Sequence, residues 1–178
     1  MSISIGEESV TAANAADLRD LLLACVRAGA SVSFMADFTA EEADAYWSGV
    51  AREVDAGVTI LFVARDDAGR LIGSVQLRLV QTPNQRHRAD VAKLLVHPGA
   101  RRQGAGRRLM AALEARAAEI GRTVLVLDTA KGSAAEPLYT AAGWTRVGEI
   151  PWYALMPDGS RCDTVVFCKA LGVMPDGV

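Results

Sequence analysis

The stretch Leu94–Met110, LLVHPGARRQGAGRRLM, decides how this chain is read. It crowds Arg101, Arg102, Arg107 and Arg108 around a Gly104-Ala105-Gly106 turn. An apolar, strand-like run precedes the turn and an amphipathic helical pattern follows it. A helix N-terminus exposes unpaired amides and the positive end of its macrodipole. Glycine lets the backbone approach an anion with no Cβ in the way, and arginine adds charge-assisted hydrogen bonds. The stretch therefore reads as a cradle for a multiply charged anion at the start of a helix.

Around this stretch the chain offers few other classes. Its 178 residues suit one well-buried core and are short for two, so a single domain over residues 1–178 is expected. A net charge of -2 argues against a general nucleic-acid binder and makes the arginine cluster a local feature. Cys25, Cys162 and Cys168 lack paired metal-type spacing, and an odd count of core-type thiols fits a reducing compartment. The N-terminus has no basic segment followed by an apolar one, and no apolar run approaches the roughly 20 residues that span a bilayer. A cytoplasmic protein with no nucleic-acid partner and no membrane association is expected. His87 and His97 do not form a helical metal pair, and no metal is assigned.

Periodicity sets the architecture. A short strand is expected around Ile3–Ile5, then a helix from Thr11 to Ala28 with Leu18, Leu21, Leu22, Cys25 and Val26 on one face. Thr39-Ala40-Glu41-Glu42 has capping-box spacing and opens a second helix running to about Val54. Val58–Arg65 and Arg70–Val80 read as a hairpin around Asp66-Asp67-Ala68-Gly69. Thr82-Pro83-Asn84 begins a polar loop, Arg88–His97 is the next strand, and Gly106–Ile120 is a helix. Thr123–Asp128 has the continuous apolar look of a buried parallel strand, so the crossover from Arg88 to Asp128 should be parallel and right-handed. A short helix over Ser133–Ala142 and strands at Trp144–Leu155 and Asp163–Ala170 complete one mixed α/β layer.

Three cradles compete for the glycine turn. A phosphate-binding NTPase loop needs Gly-Lys-Ser/Thr, but Arg107-Arg108 follow Gly106. A dinucleotide fingerprint needs glycine or alanine where Leu109 stands, although its first two glycines match and Asp128 lies downstream. The third is the pyrophosphate loop of an acetyl-CoA enzyme, Gln/Arg-x-x-Gly-x-Gly/Ala, which Arg101-Arg102-Gln103-Gly104-Ala105-Gly106 satisfies at every position. An ordinary glycine turn with solvated arginines is the bland alternative; the strand before, the helix after and a second motif downstream weigh against it.

VHPGARRQGAGRRLM resembles the central motif of the GNAT superfamily of N-acetyltransferases, and AAEPLYTAAGWTRVGE resembles its closing segment. GASVSFMAD, RADVAKLLVHPGARRQGAGRRLM, LDT and YTAAGWTRVGE further resemble, in the same order, a toxin-resistance member of that family, so the likeness covers nearly the whole chain. It implies an α/β (α+β) fold: one mixed twisted sheet with a central splayed parallel strand pair and helices on both faces. It also implies acetyl-CoA as cosubstrate. The pantetheine arm would meet backbone groups of Leu94, Leu95 and Val96, much as an added strand would. Amides across Arg102, Gln103, Gly104, Ala105, Gly106 and Arg107 would hold the pyrophosphate, with arginine side chains such as Arg101 meeting the remaining charge.

The implied chemistry is attack by an amine on a thioester. An alkylammonium with a pKa about 10.4 is rarely neutral at pH 7, and supplying the neutral form costs roughly 4–5 kcal/mol. A base is therefore useful, as is a backbone donor for the developing oxyanion, for which the amide of Leu94 or Leu95 is the family-like candidate. Tyr139 matches the tyrosine that protonates the leaving thiolate; a phenol of pKa about 10 stays protonated near a thiol of about 8.5. For the base, period-two alternation puts Asp90, Ala92, Leu94 and Val96 on one face and aims Asp90 along the cleft. Asp128, at the end of the neighbouring strand, is the second candidate. Either acid has a local alternative: Asp90 beside Arg88, Asp128 as a turn cap.

On the acceptor side, Phe34 and Asp37 lie between the two early helices, a region that forms the acceptor wall in GNAT folds. The polar loop adds Asn84 and His87. Where many members carry asparagine this chain has Gly132; Ser133 would replace its contact or cap the following helix. His97 is expected to be structural, Trp47 and Trp144 to be packing. The leading expectation is an N-acetyltransferase of a small amine, an amino-acid-like antimetabolite included, acting as monomer or homodimer. Acetylation of a protein or peptide amine and a non-catalytic acyl-CoA sensor are the alternatives.

Overall fold

The computed structural model describes residues 2–172. Its strands are β1 (Ser4–Glu7), β2 (Thr59–Arg65), β3 (Leu71–Leu79), β4 (Arg88–Val96), β5 (Val124–Ala130), β6 (Thr145–Leu155) and β7 (Arg161–Ala170). Its helices are α1 (Ala15–Arg27), α2 (Ala40–Asp55), α3 (Ala105–Glu119) and α4 (Glu136–Ala141). The strands form one sheet in the order β1-β2-β3-β4-β5-β7-β6, antiparallel everywhere except between β4 and β5. The expected α/β architecture with a parallel central pair is the one observed.

Helices cover both faces because both faces are apolar. Leu109, Met110, Leu113 and Ala117 of α3 pack with Val75, Leu77, Leu125 and Phe167 on one side of the sheet. Leu18, Leu22 and Val26 of α1 and Trp47 and Val50 of α2 pack with Leu61, Val63 and Leu95 on the other. At about 25 cal/mol per Å² of apolar surface, these two layers supply the dominant stabilisation. Thr39 closes the expected capping box on α2: Glu42 N donates to Thr39 Oγ1 at 3.2 Å, and Thr39 N donates to Glu42 Oε2 at 2.8 Å.

Three boundaries differ from expectation for local reasons. Helix α1 starts at Ala15 rather than Thr11, because the Asn14 side chain accepts from Thr11 N at 2.8 Å and holds residues 11–14 as a turn. Strand β5 continues past Asp128 to Ala130, since Thr129 and Ala130 keep their pairing with Val165 and Thr164 of β7. Helix α4 begins only at Glu136, and Ser133 does not cap it; its hydroxyl lies 3.0 Å from Thr129 Oγ1 instead.

The expected two-residue alternation along β4 fails at Lys93. Ser74 pairs with Leu95 while Gln76 pairs with Ala92, so Val75 faces two residues, Lys93 and Leu94, and the strand is bulged. Lys93 adopts φ 52°, a left-handed value costing a non-glycine residue about 1–2 kcal/mol. One extra residue reverses the faces. Asp90, Ala92 and Leu95 therefore look toward α1 and α2, whereas Ala89, Val91, Leu94 and Val96 look toward α3. Asp90 does not share a face with Leu94 and Val96.

Candidate functional site: a splay between two parallel strands

The parallel ladder between β4 and β5 lasts only three pairs, Arg88 with Val124, Ala89 with Leu125 and Asp90 with Val126. Beyond Asp90 the bulge turns β4 away while β5 stays with β7. A V-shaped gap opens through the sheet and leaves backbone groups of the β4 half from Val91 to Val96 without a parallel partner. Polar backbone seeks partners, so an extended amide-bearing chain fits such a gap.

At the open end of the V stands the glycine turn. Gly104 caps α3 at φ 89°, a conformation that alanine reaches only with strain, and Arg102 also has positive φ, 62°. The first amide of α3 to bond back is Arg108 N, which donates to Gly104 O at 3.1 Å. The amides of Ala105, Gly106 and Arg107 are thus left for an outside acceptor. A Cβ on Gly106 would sit 3.4 Å from Leu138 Cδ1 and 3.7 Å from Val96 Cγ2, ordinary contact distances that place the start of α3 against β4 and α4. His97 Nδ1 accepts from Gly99 N at 3.2 Å and shapes the preceding turn, a structural role. Gln103 is exposed and spans back to Gly99 O at 3.3 Å. Arg101 donates to Val96 O at 3.4 Å, while Arg102 and Arg107 are exposed beside the free amides. Free amides, helix dipole and guanidinium groups suit a pyrophosphate.

Tyr139 lies on the α3 side of the gap. Its ring is 5 % exposed and is held by Phe167 and Trp144, with centroids 5.6 Å and 6.1 Å away. Its hydroxyl makes no hydrogen bond to any described residue. Burial, followed by the Asp128 carboxylate, pushes the phenol above its ordinary range. The group stays protonated at every physiological pH.

Asp128 and Asp90 occupy the opposite face. Asp90 pairs with Val126, two residues before Asp128 on β5, so both acids look toward α1 and α2. Asp90 is 3.6 Å from Arg88 and faces Arg78 across the β3–β4 ladder. The charge of Asp128, in contrast, is felt by Tyr139 through the gap and also by Lys93. Lys93 was absent from the residues expected to matter. From the bulge its Nζ reaches Ser33 Oγ at 2.8 Å and lies 5.5 Å from the Phe34 ring centroid. Burial, then the Arg78 guanidinium, lower this ammonium to about 8, with Asp128 opposing. The available signal was a single charged residue inside an otherwise apolar strand, VAKLLV.

The remaining expected residues divide. Phe34 lies beneath the Lys93 ammonium, stacked on Phe38 at 4.0 Å and edge-on to Tyr46 at 5.2 Å. Asp37 is exposed and lines the same hollow as Phe34 and Tyr46. Asn84 and His87 are not brought there. They precede β4 at the paired end of the V, where His87 O accepts from Thr123 N at 2.8 Å. His87 stands six positions before Lys93, about 20 Å along the strand. No cluster of three or more His, Cys, Asp or Glu side chains forms a metal site among the described residues. None of the described helices is long and apolar enough to cross a membrane.

Comparison with known proteins agrees with this geometry. The profile of the Acetyltransferase (GNAT) family matches residues 16–144. The chain is 32 % identical over 156 residues to an uncharacterized N-acetyltransferase from the hisH-hisA intergenic region of Azospirillum brasilense, covering 82 % of this chain and 90 % of that one. In fold it is similar to an N-acetyltransferase from Staphylococcus aureus Mu50, with TM-score 0.79, 16 % identity and coverage of 97 % and 100 % of the two chains. It is also similar in fold to yncA, a putative acetyltransferase from Salmonella typhimurium solved with its cofactor acetyl-CoA, with TM-score 0.75, 18 % identity and full coverage of both chains. The matched profile spans the splayed strand pair and the glycine turn at the start of α3, and the chain belongs to the GNAT family of acetyl-CoA-dependent N-acetyltransferases.

Proposed function

We propose that this chain acetylates the amine of a small molecule, amino-acid-like toxins or antibiotics among them, and does so in the cytoplasm. The observation that carries the reading is Tyr139, whose ring is buried beside the gap while its hydroxyl has no hydrogen-bond partner among the described residues and feels the charge of Asp128. Bound acetyl-CoA supplies an acetyl group activated as a thioester. Amides from Arg102 to Arg107 hold the diphosphate; backbone of Leu94, Leu95 and Val96 aligns the arm, and one of the first two amides donates to the carbonyl oxygen. Tyr139 Oη delivers a proton to the departing sulfur. Burial raises a desolvated thiol along with the phenol, which keeps the transfer from becoming steeply uphill. Asp128 draws the proton from the acceptor's ammonium, with Asp90 further down the V as the secondary acid.

The small acceptor is supported by the contacts made across the α1–α2 side. Lys93, Ser33 and Phe34 crowd the gap, and Ala36 N donates to Pro157 O at 2.9 Å, so the α1–α2 loop and the β6–β7 turn join beside it. GASVSFMAD and YTAAGWTRVGE, which carry this loop and the Tyr139 helix, resemble the tabtoxin resistance protein. The exposed Val147, Trp152, Tyr153 and Leu155 of edge strand β6 are compatible with a homodimer. The test is thiol release from acetyl-CoA across a panel of amines. Acceptor-dependent release from small amines supports the proposal; release only with peptides, or tight cofactor binding without release, contradicts it.

A further inference from the structure

The chain has three lysines, and two of them are paired with carboxylates: Lys131 with Glu149 at 2.7 Å and Lys169 with Glu114 at 2.6 Å. Lys93 is different. Among the described residues no carboxylate lies within 4.0 Å of it or of Arg78. Its ammonium is instead suspended between the Ser33 hydroxyl and the face of Phe34, at the acceptor side of the gap. The arrangement uses strained backbone at φ 52° to project a cation where a partly buried charge is costly. Arg78 is held beside it by Gln76, whose Oε1 accepts from Arg78 Nη2 at 3.0 Å while its Nε2 donates to Tyr46 Oη at 2.8 Å. Gln76 is fully buried, so this guanidinium is fixed in place.

We infer that Lys93 recognises a carboxylate on the acceptor, making the preferred acceptor a free amino acid or a close analogue rather than a simple amine or a peptide. This rests on the proposed small-amine acetylation. The site then presents complementary signs to one zwitterion: Lys93, supported by the field of Arg78, for its carboxylate, and Asp128 for its ammonium. Ser33 Oγ, already bonded to Lys93, adds a hydroxyl donor to the same carboxylate. Lys93 is thus a specificity-determining residue, and its contact is with a part of the acceptor that does not react.

Free amino acids and their α-carboxamides separate this reading from a merely structural one. An α-amine next to an amide has a pKa of about 7.7–8.0, below that of the zwitterion, so intrinsic reactivity at pH 7 favours the carboxamide. Thiol release is measured for the common amino acids and the matching carboxamides with the parent, Lys93→Met and Lys93→Arg proteins. Calorimetry with acetyl-CoA checks that each variant is folded and keeps its cofactor site. The parent is expected to prefer the acid despite the reactivity bias. Lys93→Met should raise KM for the acid roughly tenfold or more while changing kcat, and KM for the carboxamide, by less than about threefold. Lys93→Arg should recover part of the loss. Equal losses for acid and carboxamide, a parent that prefers the carboxamide, or no acetylation of any amino acid would overturn the inference. In each case, intact acetyl-CoA binding and turnover of other small amines would leave the broader proposal standing.

Discussion

Trp144 donates its indole N–H to Glu114 at 2.7 Å, joining the strand end behind Tyr139 to the middle of α3. The other carboxylate oxygen of Glu114 accepts from Lys169 at 2.6 Å, and Lys169 also donates to Ala142 O at 2.7 Å. One acid therefore fixes β6, β7 and the end of α4, the three segments that wall in the Tyr139 ring.

Removing that acid should cost stability and loosen the site together. Glu114→Ala leaves an indole N–H unpaired and a partly buried ammonium with the Ala142 carbonyl but no countercharge, a loss of about 3 kcal/mol. Chemical denaturation of parent and variant checks it. A change below about 0.5 kcal/mol would show the network to be dispensable.

Tyr139→Phe keeps the ring against Phe167 and Trp144 and deletes only the unpartnered hydroxyl. The fold should be unaffected, acetyl-CoA affinity nearly so, and kcat should fall roughly 10²-fold or more. Steady-state kinetics beside cofactor titration reads both quantities. Unchanged turnover in folded protein removes the acid role.

The two carboxylates should not be equivalent. Asp90 sits 3.6 Å from Arg88 at the paired end of the V, whereas Asp128 is felt at both Tyr139 and Lys93. Asp128→Asn is expected to lower kcat roughly 10²-fold and to displace the alkaline-rising limb of the rate profile; Asp90→Asn should cost about tenfold or less. Equal losses, or pH profiles identical to the parent's, would reject this assignment of the base.

Lys93 has a consequence for stability as well. Its ammonium falls to about 8 in the folded chain, below the roughly 10.4 of an unfolded lysine. Between those values the unfolded state binds more protons, so stability rises with pH. The penalty is full below the folded value and relieved above it. Lys93→Met should therefore raise the melting temperature at pH 7, with an advantage that shrinks as pH climbs from 8 toward 10.5. A difference independent of pH would mean that the charge is not the cause.

Much of this was legible from residue patterns, because those patterns are local. Apolar period and turn residues locate every strand and helix, and Gly104-Ala105-Gly106 marks the turn that opens α3. What escaped was non-local. Nothing in VAKLLV announces that Val75 of the neighbouring strand will face two residues, so the reversal that parts Asp90 from Leu94 was invisible. The same bulge hid Lys93. Asn84 and His87 looked suitable as polar loop residues, yet the direction of β4 carries them to the closed end of the V. Ser133 had a cap's composition but found Thr129 Oγ1 first.

Isothermal titration of the folded protein with acetyl-CoA, run beside Gly104→Val, reaches the centre of the account. Saturable one-site binding by the parent, weakened roughly tenfold or more when a β-branched residue is forced toward φ 89°, is the expected result. No saturable heat with the parent, or equal affinity in a folded variant, would contradict the claim that this turn grips the diphosphate of the cofactor.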